Sequence, residues 1–385
     1  MQGLAVGWAF AVAVCSGCRT AAEPAFVEGP DSPIAVGPGP ETPALADFDG
    51  DGRPDIVVTC GSRAAPQVGG VLLLLNQGGA RFAAAPAGRI ELPQPVDSLA
   101  VADFNEDRCV DVAAVGHDSY QVHLLFGDGH GGLSGGSSFA AHVGHHPHTH
   151  AVAALDVNGD GHADVLTTNA DDDAISVLLG DGRGGLAPAA GSPFAAPRHP
   201  YSSLAVQDLD GDGRPDVAAP LLESGEIGVY LGDGAGGFAA APGSPHGVGA
   251  RPGFVHADDV NGDGRPDLLA THDDVGLLDV LLNEGGGRFA FAPESPVRVR
   301  EPVWSIVTSD VDDDGDRDAI LSTPGRSLVL LLGDGHGGFS RAERAALATG
   351  EAPNRLASGD LDGDGRADVV TSNHESGDIT VLLRR

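Results

Sequence analysis

The sequence predicts an all-β fold, a single seven-bladed β-propeller of four-stranded antiparallel blades, on three observations. The first is composition: of 385 residues 58 are Gly and 27 are Pro without a triplet period, and only 5% are aromatic. Abundant turn residues with few helix-forming stretches imply many short strands. The second is a nine-residue pattern, Asp-x-Asp/Asn-x-Asp-x-x-x-Asp, that recurs seven times. The third lies at the two ends, where the last repeat stops one strand short and the N-terminal region carries a strand of the missing kind.

The acidic pattern begins at Asp47, Asp103, Asp156, Asp208, Asp259, Asp310 and Asp360, with separations of 56, 53, 52, 51, 51 and 50 residues. A period near fifty residues is that of propeller blades. Each repeat has the same internal order. One strand leads into the acidic loop (SLAVAD, SLAVQ), and a β-branched strand leaves it (DIVVT, DVLTT, DVVTS). A third strand ends in a Gly-rich turn such as LLGDGRGG, whose Asp-Gly and Gly-Gly pairs supply the positive φ of tight hairpins. A fourth strand opens on Phe82, Leu133, Leu186, Phe238, Phe289 or Phe339. Four antiparallel strands per unit make a propeller blade.

The seventh repeat ends at VLLRR, after its third strand. Residues 26–33 (FVEGPDSP) match the fourth strand at Phe238 (FAAAPGSP), and both precede the next acidic loop by 21 residues. The N-terminal strand is therefore expected to complete the C-terminal blade, which closes the ring and removes exposed sheet edges. On this reading residues 26–385 form the propeller, with no room for a second domain, and 19–25 a linker.

Residues 1–18 read as an export signal, because the apolar run 3–17 is too short to span a bilayer and is followed by Cys18. Cys15-Ser16-Gly17-Cys18 resembles a lipobox in which Cys18 is cleaved and lipidated, although no Lys or Arg precedes the run and Cys15 stands where Leu is usual. The expected location is outside the cytoplasm: a membrane-anchored lipoprotein, cell-surface, periplasmic or secreted. No other segment reads as a transmembrane helix. Cys60 and Cys109 lie in neighbouring repeats, where two unpaired thiols are preferred over a disulfide. A net charge of −33 argues against nucleic acid and anionic lipid as partners. That leaves the membrane accessible only through a lipid anchor, and a monomer is expected.

The acidic loops suit calcium, which takes six to eight oxygen ligands. Positions 1, 3, 5 and 9 offer side chains and position 7 a backbone carbonyl. The sets are Asp47, Asp49, Asp51, Arg53 and Asp55; Asp103, Asn105, Asp107 and Asp111; Asp156, Asn158, Asp160, His162 and Asp164; and Asp208, Asp210, Asp212, Arg214 and Asp216. They continue as Asp259, Asn261, Asp263, Arg265 and Asp267; Asp310, Asp312, Asp314, Asp316 and Asp318; and Asp360, Asp362, Asp364, Arg366 and Asp368. Arg53, His162, Arg214, Arg265, Asp316 and Arg366 would contribute their carbonyls. Turn formation by itself requires no acid at position 9, so the recurring fourth carboxylate favours a cation over a bare hairpin. The absence of Cys and His from the side-chain positions argues against zinc there. Up to seven Ca²⁺ are expected. In the second loop Glu106 and Arg108 replace both glycines, so weak or no binding is expected; in the sixth, Asp313 replaces one glycine and Gly315 remains.

The DxDGDGxxD loops with LLGDGxGGF hairpins resemble the FG-GAP/VCBS repeats of bacterial surface proteins, related to the integrin α-subunit propeller, over nearly all of Phe26 to Arg385. The resemblance implies that strand one of each blade is innermost. It also implies a function among adhesion modules, lectins and polysaccharide lyases, between which fold cannot choose.

Alternating chain direction puts the acidic loops and Gly-rich turns on one face. The connections into strand one, and those between strands two and three, fall on the other. If strand one is innermost, the sixth residue before each loop rings the axis of that second face: Glu41, Asp97, His150, Ser202, Gly253, Trp304 and Asn354. The fifth is Thr42, Ser98, Ala151, Ser203, Phe254, Ser305 and Arg355, whereas the third is Ala in five of seven repeats, with His256 and Val307 as exceptions. Variable residues on a regular scaffold are how binding sites are built. Trp304, Phe254 and Tyr201 are candidates to stack on a sugar, and His148, His150, His256, Asn354 and Arg355 to hydrogen-bond it. The competing view is that these residues only plug the channel. The run His142, His145, His146, His148 and His150 suggests zinc or copper, but no acid or Cys lies near it in sequence, and a solvated loop is preferred. There is no Gly-x-Ser-x-Gly elbow and no phosphate loop. The expected function is a calcium-stabilised, exported recognition propeller binding a carbohydrate or protein partner opposite the calcium loops. A polysaccharide lyase and a structural spacer are the alternatives.

Overall fold

A computed structural model describes residues 25–62, 68–144, 146–249 and 251–385. The chain is all-β, and the 3₁₀ turn Ala170–Asp172 is the one helical element among the described residues. Seven antiparallel sheets form seven blades. Blade 1 comprises Pro40–Ala46, Asp55–Ser62, Val68–Asn76 and Phe82–Leu92, and blade 2 Ser98–Ala102, Asp111–Val115, Gln121–Gly127 and Leu133–Ala140. Blade 3 comprises Val152–Leu155, Asp164–Asn169, Ala174–Gly180 and Leu186–Pro188, and blade 4 Ala205–Gln207, Asp216–Leu221, Glu226–Gly232 and Phe238–Ala240. Blade 5 comprises Pro252–Asp258, Asp267–His272, Leu277–Gly285 and Arg288–Phe291, and blade 6 Ser305–Ser309, Asp318–Ser322, Ser327–Gly333 and Phe339–Ala348. Blade 7 takes Pro353–Gly359, Asp368–Asn373 and Asp378–Arg384 from the C-terminus and Phe26–Glu28 from the N-terminus.

Two pairings join the chain ends. Phe26 lies opposite Arg384 and Glu28 opposite Leu382, while Ile34 lies opposite Ile379. The side chains repeat what other blades do at the same place. Val381 N donates to Ser32 Oγ at 3.1 Å, as Val177 N does to Ser192 Oγ, Val229 N to Ser244 Oγ and Val280 N to Ser295 Oγ.

Burial explains which strand sits where. Second strands such as DVLTTN and DVVTSN are buried along their whole length, because aliphatic residues on both sides pack against neighbouring blades. Seven hydrophobic clusters fill the spaces between consecutive blades. Between blades 7 and 1, for example, Ile56, Val58 and Leu72 pack with Val370, Val381 and Leu383. Each such side chain contributes about 1.5–3 kcal/mol on burial. First strands are only half-buried and pack on the first strands of neighbouring blades, which places them around the axis. Side chains cross between them: Thr42 Oγ1 donates to Asp97 O at 2.7 Å, and Gln207 Nε2 to Ala257 O at 3.0 Å.

On the acidic face three Gly-rich turns clasp the loop of the preceding blade. Gly131 N donates to Phe48 O, Gly184 N to Phe104 O and Gly286 N to Asp210 O, at 3.0, 2.9 and 3.2 Å. No helix among the described residues is long and apolar enough to cross a membrane.

Deleting residues 19–33 removes the strand on Asp378–Arg384 and leaves its backbone groups unpaired, although every acidic loop survives. That chain is expected to aggregate or to melt well below the parent in thermal unfolding followed with light scattering. Deleting only residues 1–22 is expected to leave the melting temperature unchanged.

Candidate functional site

The acidic loops carry a double function at position 9. All seven of these aspartates are fully buried, and each carboxylate accepts at least two backbone N–H bonds. Asp216 takes Leu209 N and Gly232 N, both at 2.8 Å; Asp368 takes Leu361 N at 2.8 Å and Arg384 N at 2.9 Å. Asp55, Asp111, Asp164, Asp267 and Asp318 do the same. The acid at position 9 therefore ties the second residue of the loop to the end of the third strand. This corrects the expectation that turn formation requires no acid there: the hairpin uses the carboxylate directly.

These bonds do not exhaust the carboxylate, since its two oxygens offer about four lone-pair sites. In three loops one oxygen from each of three acids lies within 4.8 Å of the others: Asp47, Asp49 and Asp55; Asp208, Asp210 and Asp216; and Asp310, Asp312 and Asp318. Burial, reinforced by the neighbouring loop carboxylates, pushes Asp111, Asp216, Asp267, Asp318 and Asp368 up to about 6 against the lowering pull of their N–H bonds. Asp55 and Asp164 are raised for the same reason. Converging, partly desolvated oxygens fit a hard divalent cation such as Ca²⁺.

Two details lay outside the sequence expectations. Arg53, Arg214 and Arg265, singled out for their carbonyls, also pair through their guanidinium groups with the position-5 acids Asp51, Asp212 and Asp263. The second loop keeps the common backbone: Arg108 N donates to Asp103 Oδ2 at 2.8 Å, with φ of 58° at Glu106 and 71° at Arg108. Arg108 is exposed, and Glu106 meets His162 of the next loop. The peculiarity of this loop is therefore one of charge, with its hydrogen-bonded shape retained.

On the opposite face the axis opens into a cavity of about 340 Å³. Six of the seven residues placed six before the loops line it: Glu41, Asp97, His150, Ser202, Trp304 and Asn354, together with Arg355 and Tyr201. The seventh, Gly253, makes space instead, because a Cβ there would lie 1.8 Å from Asp273 Oδ1. Asp273, His374 and Glu375 complete the acidic and imidazole lining. These three were missed because only the connections into strand one were compared. Asp273 and His374 each lie six residues beyond the position-9 Asp of their repeat, as does His117. The same comparison made on the connection between strands two and three would have found them.

The cavity is internally braced. Glu41 holds His374 Nδ1 at 2.8 Å and accepts from Asn354 Nδ2. Arg355 donates through Nη2 to Ser202 O at 2.6 Å, and its guanidinium lies 4.7 Å from the Phe254 ring centroid. Phe254 thus acts beneath Arg355, a support for the cation. The Nη1 atom of Arg355 is buried and has no hydrogen-bond partner among the described residues. Burial lowers the guanidinium pKa, opposed by Glu41 and Asp273. Burial pushes the Asp273 carboxyl up to about 6, opposed by Arg355. His256 does not join this group. Its Nε2 lies 2.9 Å from Thr308 Oγ1, which in turn donates to Asp258 at 2.5 Å, so it is satisfied deeper in the channel, and burial keeps its pKa low.

His148 stands beside the cavity in a histidine group. Its ring centroid lies 4.1 Å from that of His117, 4.5 Å from His150 and 5.0 Å from His199. Asp171 Oδ1 lies 2.8 Å from His148 Nδ1 and 3.3 Å from His199 Nδ1. No acid lies near the histidine run in sequence, but the connection after Asp164–Asn169 brings Asp171 to it in space. His142 approaches Asp172 at 3.5 Å, and the His146 N–H bonds Tyr120 Oη at 3.0 Å. His145 and Cys18 lie outside the described residues. Among the described residues Cys60 and Cys109 form no disulfide.

The fold has solved counterparts. The structure of BBS1N in complex with ARL6DN matches with a TM-score of 0.61 at 10% identity, over 91% of this chain and 94% of that one. A lectin of Agrocybe aegerita, described for its specific recognition of non-reducing terminal N-acetylglucosamine, matches with a TM-score of 0.54 at 20% identity, over 88% of this chain and 86% of that one. Identities this low carry the fold alone. No curated protein sequence matches the chain. The FG-GAP-like repeat matches residues 47–114, 103–167, 156–219, 259–321 and 310–371, and its matches cover well over half of the sequence. The chain belongs to the FG-GAP-like repeat family.

Proposed function

We propose that this protein is an exported, calcium-stabilised recognition propeller whose axial cavity binds a carbohydrate. The observation that carries the reading is the cavity's composition. Trp304 and Tyr201 offer aromatic faces beside Asn354, Ser202, Glu41, Asp97 and Arg355, which offer the donors and acceptors that sugar hydroxyls require. The lectin with the same fold lends support by analogy. Acids outnumber the one arginine in the lining, so neutral or amino sugars fit better than uronates. A protein loop presenting hydroxyl and aromatic groups is the other class of partner.

The convergence of titratable groups favours one second reading, a polysaccharide lyase. Arg355 would neutralise a uronate carboxylate while a neighbouring imidazole or carboxylate takes the proton α to it. Expulsion of the glycosidic oxygen from C4, which takes up a proton from that group or from water, then leaves a C4–C5 double bond. Asp273, with its carboxyl raised to about 6 beside Arg355, would be the proton carrier. As for location, the apolar run and Cys15-Ser16-Gly17-Cys18 support export with Cys18 lipidated.

Ca²⁺ would be held by positions 1, 3, 5 and 9 of each loop and the carbonyl of position 7, cancelling the repulsion among carboxylates that the hairpins draw together. Chelation is then expected to lower the melting temperature by mass action. Asp212→Ala is expected to remove about one Ca²⁺ per chain in elemental analysis and Asp107→Ala none, because Arg108 already opposes a cation in that loop.

The pH dependence follows from the raised carboxyls. In the metal-free protein the folded pKa of about 6 at Asp111, Asp216, Asp267, Asp318 and Asp368 exceeds the ordinary aspartate value of 3.8. Their contribution to stability is therefore present below about pH 4 and lost as pH rises through about 6. Ca²⁺ binds the ionised form. The rise in melting temperature that calcium produces is thus expected to be largest above pH 7 and to shrink as pH falls through about 6. Calorimetry with and without chelator at each pH measures this difference, in which histidine titrations common to both states cancel.

Glycan-array screening of the calcium-loaded protein, followed by titration with the best ligand, tests the cavity. Trp304→Ala is expected to weaken binding about tenfold or more with the melting temperature unchanged. Accumulation of an ultraviolet-absorbing unsaturated product from uronate polysaccharides, abolished by Asp273→Asn, would instead establish the lyase.

A further inference from the structure

We propose that His117, His148 and His150 form a binding site for a divalent transition metal of the zinc type on the wall of the axial cavity. The ligand atoms of the three imidazoles lie within 4.8 Å of one another. They come from two connections on the cavity face, the one that follows Asp111–Val115 and the one that leads into Val152–Leu155. The rings are partly buried, with their centroids 4.1–4.8 Å apart.

The surroundings are those of metal-ligating imidazoles. His117 Nδ1 lies 2.8 Å from Asp118 Oδ1, and His148 Nδ1 lies 2.8 Å from Asp171 Oδ1. A carboxylate on one ring nitrogen fixes the tautomer and makes the other nitrogen a better ligand. Nε2 is then the nitrogen that His117 and His148 offer a metal. The aspartate that orients His148 also holds His199 at 3.3 Å, so Asp171 organises a pair of rings. Three imidazoles select a borderline cation, whereas the all-oxygen loops on the opposite face select a hard one. Three protein ligands leave an open position for an oxygen donor. Because His150 lines the cavity, water or a ligand oxygen in the cavity is the natural occupant. The inference does not depend on the cavity's sugar or on calcium in the loops.

The test is titration of the tag-free full chain, saturated with Ca²⁺, with Zn²⁺ by calorimetry against a competing chelator. One equivalent is expected to bind. His148→Ala/His150→Ala is expected to abolish that equivalent, and Asp171→Asn to weaken it about 10- to 100-fold. His130→Ala/His336→Ala, in the Gly-rich turns of the opposite face, is expected to leave it intact. Co²⁺ added to the unmodified chain gives a readout independent of any variant: intense visible bands of a four- or five-coordinate nitrogen site are expected. Absence of a stoichiometric Zn²⁺ equivalent, its persistence at full strength in the His148/His150 variant, or only the weak bands of six-coordinate cobalt would overturn the proposal.

Discussion

The whole ring depends on a buried carboxylate that accepts two backbone N–H bonds at the same place in every blade. Each such pair of charge-assisted bonds contributes about 1.5–3 kcal/mol per bond, and it joins the acidic loop to the end of the third strand. The geometry has an electrostatic consequence. To tie the hairpin, a carboxylate must be taken out of water beside other acids of the same loop, and the raised carboxyls at Asp216 and Asp368 register that stress. A fold built by repeating this device concentrates negative charge on one face, and cations are the simplest way to relieve it. On the proposal that the loops bind calcium, stability and cation binding would be two aspects of one residue.

The opposite face follows from the crowding of first strands at the axis. First strands pack on one another around the axis, and alanine recurs there at the third residue before the loops. His256 at that position is held by hydrogen bonds through Thr308 to Asp258. Three residues further out the first strands reach the cavity face. There the seven repeats differ, and a cavity lined by Trp304, Asn354 and Arg355 results. The hydrophobic clusters between blades include none of Glu41, Asp97, His150, Ser202, Trp304 and Asn354, so the regular core leaves these positions free to vary.

Much of this was legible in the sequence because a propeller is nearly one-dimensional: a residue's place is fixed by its offset within the repeat. Seven acidic loops gave the blade number, Phe26 and Ser32 gave the partner of the last blade, and a single offset identified six residues of the cavity. Contacts between repeats were not legible in this way. Arg355 reaches Ser202 across 153 residues, and Asp171 reaches His199 from another blade. Phe254 looked like a stacking platform from its chemistry, yet its face lies under Arg355. The position-9 aspartate was read as a ligand because sequence records which residue recurs, while the backbone bonds that require it appear only in three dimensions.

The most direct test of the account is a crystal structure of the calcium-loaded protein, with anomalous scattering used to locate the ions. The account predicts an ion in every acidic loop except the second, bound by positions 1, 3, 5 and 9 and the carbonyl of position 7, with both N–H bonds to the position-9 carboxylate retained. Loops that hold only water between their carboxylates under saturating calcium would contradict it.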